Sequence, residues 1–373
     1  MPTPVLLQYP CRWLRGAIQP VCVVCNAAGC SNPEQSLGAV VQGIPLPTAE
    51  SRRAGWRYRH VVALLLVALL PPAIARDACE GADVAVLPTL LRVSANVWRV
   101  VAARGEPEES NRGVTTQLVL ARDRDRLWLI GSGPSPAFGA ALSCAVQRTT
   151  GHTVSDVVNT RSTPELAMGN VAFANARLWA LPDVMAAMQT RCLQCQAQLR
   201  ARLGIAGISL QPQLVRVPRD PVAAAGVTTG RLGPFEWRAL ERMPGERVLV
   251  LRHCHDRIVV AQGLLWADDV PDLRDTRSDT LLASWRTLLA FSAGSRLLGE
   301  QGGVVGPAAV GRHITYLESL RRAVEPSLIR GDLQGASGSA LELTEFASLP
   351  GYAIRHPINV QRVWLELEPT IFR

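Results

Sequence analysis

Short runs of β-branched, aromatic and aliphatic residues recur between Val97 and Gly133. The runs VWRVVAA (97–103), TTQLVLARD (115–123) and RLWLIGSG (126–133) are separated by polar segments such as GEPEESNRG. Apolar runs of this length, bounded by turn residues, are typical of strands. We therefore predict a sheet in this part of the chain.

The pattern then changes to helical. PSPAFGAALSCAVQRTTG begins with proline and ends at Gly151, which is typical of a helix. The short apolar run SDVVNT predicts a strand, and the polar loop after it leads into the helix-prone ELAM. A further helix, rich in Ala, Met, Gln and Arg, is predicted over residues 184–203.

The second half begins with a loop-rich section over residues 204–233. ERVLVLR (246–252) and RIVVAQGLLW (257–266) follow and predict a hairpin. The last third is predicted to be mostly helical, with helices at DTLLASWRTLLAF (279–291), HITYLESLRRAVEPSLI (313–329) and INVQRVWLELE (358–368). This order of strands, helix, strands and helices indicates layered α/β packing without repeats.

An apolar segment lies upstream of these elements. Residues 57–78 read RYRHVVALLLVALLPPAIARDA, in which arginines precede ten apolar residues and then Ala73-Ile74-Ala75. This pattern predicts a signal peptide over residues 57–75, cleaved after Ala75. The alternative is a buried core helix, since ten apolar residues are too few to span a bilayer. We expect a periplasmic or secreted protein without a stable membrane span after cleavage.

Residues 1–56 contain four of the nine cysteines and show neither helical nor strand periodicity. We interpret them as disordered, or as the product of a start site assigned too far upstream. Cys22 and Cys25 could form half a zinc knuckle, but no second pair with suitable spacing follows.

Composition adds two constraints. The 48% apolar content is enough for a sizeable core. All 39 basic residues are arginine, a bias that we attribute to GC-rich coding DNA, so the net charge of +8 does not indicate nucleic-acid binding. The first 75 residues carry six arginines and two glutamates, so the remaining 298 residues are only mildly basic.

Two cysteine-containing motifs could carry chemistry. Cys192 and Cys195 form a C-x-x-C pair on a predicted helix, which in an oxidising compartment predicts a disulfide. The alternative is two free thiols that pack as small apolar groups. His253-Cys254-His255 has metal-ligand chemistry, but it occupies a hairpin turn and offers at most three ligands, so we do not assign it a metal.

Several strings resemble sequences of the metallo-β-lactamase superfamily. LWLIGSGPSPAFGAAL is similar to the family's strand that ends in Asp-Thr-Gly-Pro, and VVNTRSTPELAMGN to Val-Val-Asn-Thr-His-x-His-x-Asp-His-x-x-Gly-Asn. GEQG stands where the family has Pro-Gly-His-Gly. The resemblance implies a four-layer αββα sandwich with C-terminal helices over residues 76–373. PDLRD and the closing HPINVQRVWLELE resemble, more narrowly, the periplasmic zinc metallohydrolase-like proteins associated with quinoprotein dehydrogenases.

The family's metal ligands are not retained at the matching positions. The positions that match the family's ligands are Arg161, Thr163, Glu165, Leu166, Arg242, Gly263 and Gln301. The strand-end aspartate is also replaced, by Gly131. Only Glu165 keeps a group that could coordinate zinc, because a guanidinium donates hydrogen bonds but cannot bind a cation. We therefore predict neither a zinc cofactor nor catalytic residues.

The resulting hypothesis is a non-catalytic binding or accessory protein of a periplasmic quinoprotein system. Its partner would be a small anionic ligand or a periplasmic electron-transfer protein, with no nucleic acid involved. Candidate ligand-binding residues are Arg161, Glu165, Asp268 and Asp269, and we expect Arg161 to pair with Glu165, with Arg242 as a further contributor. The alternative is a zinc-dependent metallohydrolase with a rearranged metal site.

Overall fold

The computed structural model describes residues 79, 82, 87–211, 215–331 and 341–371. The predicted upstream extension (1–56) and signal peptide (57–75) lie outside these residues. Within them, no helix is both long enough and apolar enough to cross a membrane.

The first half of the fold is a seven-stranded sheet in chain order. Its strands are β1 (Leu91–Arg92), β2 (Val97–Val100), β3 (Leu118–Asp123), β4 (Arg126–Ile130), β5 (Asp156–Asn159), β6 (Arg177–Ala180) and β7 (Asp220–Pro221). The first four strands pair antiparallel, and β4 to β7 pair parallel. The change occurs at β4 because a crossover helix separates β4 from β5.

The second sheet has five strands in the order β12-β11-β10-β9-β8. They are β8 (Thr229–Leu232), β9 (Phe235–Met243), β10 (Glu246–His253), β11 (Ile258–Val260) and β12 (Arg296–Leu298). β8 to β11 pair antiparallel, and β12 joins β11 in parallel.

Six α-helices complete the described fold. They are α1 (Pro136–Thr150), α2 (Pro164–Ala167), α3 (Pro182–Leu203), α4 (Ser278–Phe291), α5 (Ala308–Ile329) and α6 (Tyr352–Ile371). Short 3-10 turns occur at Met168–Ala172, Gly204–Gly207 and Thr344–Phe346. Helix α1 is capped at both ends. The Ser135 hydroxyl accepts a hydrogen bond from the Phe138 N–H, and Gly151, where the sequence predicts the end of the helix, adopts a left-handed conformation.

Successive side chains along a strand point to opposite faces of the sheet, so that one face packs on helices and the other on the second sheet. In β3, Leu118 and Leu120 pack with α1, while Val119 and Ala121 pack against the second sheet. In β10, residues 249 and 251 face the first sheet, and residues 248 and 250 face α4, α5 and α6. Each fully buried aliphatic side chain in these cores stabilises the fold by about 1.5–3 kcal/mol. The result is the predicted αββα sandwich.

The sequence prediction differs from the structure in the second half. The sequence prediction assigns no element to β9. Its first five residues alternate between apolar and charged, which is a strand signal that the prediction missed, but the alternation is lost from Leu240 onward. β12 falls in a region predicted to be helical, because it has only three residues. The second hairpin strand is predicted to reach residue 266 but ends at Val260, and a turn follows at residues 262–264.

The predicted Cys192–Cys195 disulfide does not form. Both cysteines are free, Cys192 turned into the core from α3 and Cys195 half-buried. The disulfide instead joins Cys79 to Cys144, 65 residues apart, and Cys144 is fully buried on α1. Sequence spacing favours the local pair, whereas the fold brings the distant pair together.

Candidate functional site

A cavity of about 430 Å³ opens where β9, β12 and the loop after β5 meet α3. It lies within the size range of small-molecule sites. Most of its polar lining is charged. The charged residues of its wall are Arg161, Arg202, Arg242, Arg274, Arg355, Glu106, Glu165, Asp272, Asp275 and Glu300.

The loop after β5 is held by the motif residues that the sequence retains. The Asn170 side chain, fully buried, donates to Asn159 Oδ1 at 2.7 Å and to the Arg216 carbonyl at 2.9 Å. Its Oδ1 accepts from the Ser132 hydroxyl at 2.7 Å. Gly169 lies so close to the Ser132 carbonyl that a Cβ would come within 2.1 Å of the oxygen. Hydrogen bonds and close backbone packing therefore hold the loop in place.

Arg161 fills the space beside Gly263. A Cβ at Gly263 would lie 2.5 Å from Arg161 Nη1 and 2.6 Å from its Cδ. An aspartate at position 263 and this arginine conformation therefore exclude each other sterically. Arg161 Nη1 pairs with Glu300 Oε2 at 3.3 Å, and both side chains are almost buried.

Glu300 is held from three sides. Its carboxylate accepts from the Gly263 N–H at 2.6 Å and from the Thr116 hydroxyl at 2.6 Å, in addition to Arg161. Backbone hydrogen bonds of Glu300 to Gln117 and Leu265 fix its position at the end of β12. These donors occupy both oxygens of the carboxylate and fix its orientation toward Arg161.

Gly131, like Gly263, has neighbouring side chains in the space that its own side chain would need. A Cβ there would lie 2.6 Å from Leu166 Cδ2 and 2.8 Å from Leu118 Cδ2. Leu166 is fully buried and belongs to the core around α1. Leu166, at a position that the sequence resemblance matches to a metal ligand, thus lies in the apolar core.

Arg242 is the unpaired cation of the cavity wall. It is 4% exposed, and its guanidinium makes no hydrogen bond or ion pair with any other residue that the structure describes. Burial first, and then the charge of Arg161, lower its pKa to about 10, so it stays protonated at neutral pH. Burying an unpaired guanidinium is costly unless an anion meets it.

The other arginines of the cavity wall form ion pairs with acidic residues of the protein. Arg274 binds Asp272 and Glu106, each at 2.5 Å, and Arg202 pairs with Glu106 at 3.2 Å. Arg355 donates to the Gln301 side chain at 2.9 Å and reaches the Asp269 carboxylate at 3.5 Å. These pairs shape the wall and leave little positive charge free for a ligand.

Glu165 lies on the same wall, near the start of α2. Burial raises the pKa of this carboxyl, against the lowering effects of its own backbone N–H and of Arg161. It forms no ion pair within hydrogen-bonding reach among the described residues. The expected Arg161–Glu165 pair is therefore wrong, because Arg161 extends toward Gly263 and Glu300 instead.

Most of the residues that match the family's ligand positions line the cavity, and two do not. Arg161, Thr163, Glu165, Arg242 and Gln301 all line the cavity. Gly263 lies beneath Arg161, and Leu166 lies in the core. The Gln301 side chain donates to the Thr115 carbonyl at 3.0 Å.

Asp268 and Asp269 do not line the cavity, contrary to expectation. Asp269 turns inward, is 3% exposed and binds Arg104 at 2.6 Å and Arg355. Asp268 is exposed and accepts from the Gly303 N–H at 3.4 Å. Sequence reasoning also missed Glu300, although a lone acid beside the matched Gln301 was a usable signal.

The residues of this site do not fit zinc. No group of three or more His, Cys, Asp or Glu side chains in the described part of the chain could hold a metal ion. In the cavity, Arg161 places a positive charge beside the Glu300 carboxylate. In the hairpin turn, His253 is buried with Nδ1 accepting from the Asp256 N–H, while His255 points to solvent.

No family model and no curated protein matches the chain by sequence. Solved structures do match. A metallo-β-lactamase from Pseudomonas aeruginosa in its mono-zinc form superposes with a TM-score of 0.50 at 11% identity, covering 63% of this chain and 96% of that one. A metallo-β-lactamase from Erythrobacter litoralis gives a TM-score of 0.49 at 13% identity, with 62% and 96% covered. The likeness to the Pseudomonas aeruginosa enzyme shows that the chain has the metallo-β-lactamase fold.

Proposed function

We propose that this is an exported binding protein that takes a small anionic molecule in the cavity and does not act as a zinc hydrolase. The main support for this proposal is the Arg161–Glu300 ion pair, in which Arg161 occupies the space that a side chain at position 263 would need. A guanidinium at this place repels a divalent cation. Fold likeness gives no chemistry by itself, so the function rests on the cavity.

The anion preference is supported by Arg242. Its guanidinium is buried, charged and without an ion-pair partner among the described residues, whereas the other arginines of the wall are paired. A planar oxyanion such as a carboxylate can accept two hydrogen bonds from a guanidinium. Arg242 thus replaces Arg161 as the proposed contact for the anion.

The biological setting is proposed from sequence resemblance. The strings PDLRD and HPINVQRVWLELE resemble those of proteins associated with quinoprotein dehydrogenases. We place the protein as an accessory component of such a periplasmic system. Its partner there would be a small anion or an electron-transfer protein.

Metal content and anion binding test the proposal together. After exposure to zinc and dialysis, we expect the mature protein to hold far less than one zinc per chain by mass spectrometry. The same metal-free protein should bind hexanoate saturably in calorimetry, because the cavity's free guanidinium does not depend on a metal.

Arg238→Gln is the control variant, since Arg238 lies on β9 like Arg242 but does not line the cavity. It should bind hexanoate as the parent protein does. One tightly held zinc per chain, or no saturable binding of hexanoate, would contradict the proposed function. The first result would favour the rival zinc hydrolase with a rearranged site.

Export is a separate expectation with its own measurement. The Cys79–Cys144 disulfide supports it, since disulfides persist mainly in oxidising compartments. We expect protein recovered from the periplasm or medium to begin at Arg76, as determined by intact mass, because cleavage after Ala75 fits the small-residue pattern. A mature species that retains residues 1–56 would contradict the assignment.

A further inference from the structure

The charges of the cavity wall balance within the protein, with few exceptions. Arg161 pairs with Glu300, Arg202 with Glu106, and Arg274 with both Glu106 and Asp272. Asp275, which has no ion pair with any described residue, is exposed to solvent. Two enclosed ionisable groups, one basic and one acidic, remain without an ion-pair partner among the described residues: Arg242 and Glu165.

These two groups do not neutralise each other. Both residues line the cavity, yet no ion pair or hydrogen bond joins Arg242 to Glu165. Their charged atoms are therefore more than 4.0 Å apart. The wall also includes Leu199 and Trp266, which give apolar surface to the lining.

A simple anion satisfies only half of this arrangement. It would meet Arg242, but it would add negative charge to a cavity in which burial already disfavours the Glu165 carboxylate. A simple cation would meet Glu165 and leave Arg242 unpaired. A molecule with both charges, separated by an apolar link, compensates both groups.

We propose that the ligand is a zwitterion, with a carboxylate or similar oxyanion on Arg242 and an ammonium group on Glu165. This inference rests on the proposed function and specifies its ligand class. Arg242 and Glu165 make no direct contact, so the ligand must bridge them, and the number of methylenes between its two charges decides the fit. The methylenes lie against the apolar part of the wall.

A ligand series tests the spacing. Calorimetry with the mature protein would compare β-alanine, γ-aminobutyrate and ε-aminohexanoate with propionate, butyrate and hexanoate. At the best chain length, the amino compound should bind about tenfold or more tightly than its counterpart without the amine, since a charge-assisted contact is added.

Two variants separate the two ends of the ligand. Glu165→Gln should remove the advantage of the amine and leave hexanoate binding unchanged or slightly stronger. Arg242→Gln should weaken both series about tenfold or more, whereas Arg238→Gln should weaken neither. Thermal unfolding of each variant verifies that it is folded.

The outcomes test the zwitterion inference and the proposed anion-binding function separately. Equal binding of amino and plain carboxylates, or an unchanged preference in Glu165→Gln, overturns the zwitterion inference and leaves anion binding intact. Failure of every carboxylate to bind overturns the proposed function as well.

Discussion

Arg161→Ala should destabilise the protein by about 2–4 kcal/mol in urea unfolding, because the change removes one partner of an almost buried ion pair and leaves the Glu300 charge in the interior. The loss stays below the upper limit for such pairs because Thr116 and Gly263 still donate to Glu300.

A double variant identifies the partner. Arg161→Met with Glu300→Gln should recover most of the stability, since the glutamine amide keeps an acceptor for the Gly263 N–H and no charge stays buried. Arg161→Ala with Glu165→Gln should recover little. Arg286→Ala, which breaks an exposed pair with Glu318, should cost less than about 1 kcal/mol. Rescue by the Glu165 change instead would show that the pair is wrongly assigned.

Removing the Cys79–Cys144 disulfide should cost about 4 kcal/mol, because the bond closes a long segment, 65 residues in sequence separation, and so restricts the unfolded chain strongly. The measurement is urea unfolding of Cys79→Ala with Cys144→Ala, set beside the oxidised parent protein.

Reduction provides the internal check. A reducing agent should lower the stability of the parent protein toward that of the double variant and leave the variant unchanged. Cys254→Ala should have little effect, since this cysteine is free and exposed. Insensitivity of the parent protein to reduction would mean that the bond contributes no stability.

Most strands and helices follow from local patterns. Leu118–Asp123 and Pro136–Thr150 carry their own periodicity and end signals, so they form where the sequence predicts them. Phe235–Met243 is missed by the sequence prediction, because its alternation of apolar and charged residues extends only to Ala239, and its pairing with both neighbouring strands is visible only in the structure. The αββα layering follows from the order of elements and from resemblance together.

The candidate site, too, was predictable from the sequence only in part. The sequence by itself determined the residue type at each position, and resemblance to the family predicts that, of the positions matched to zinc ligands, only Glu165 keeps a side chain suited to coordinate the metal. Only the tertiary structure decided that Arg161 pairs with Glu300, that Leu166 fills the space beside Gly131, and that Cys79 meets Cys144. These partners lie far apart in the chain, with a sequence separation of 139 between Arg161 and Glu300. Pairings over such distances depend on which strand ends the two sheets bring together, and no local pattern encodes that.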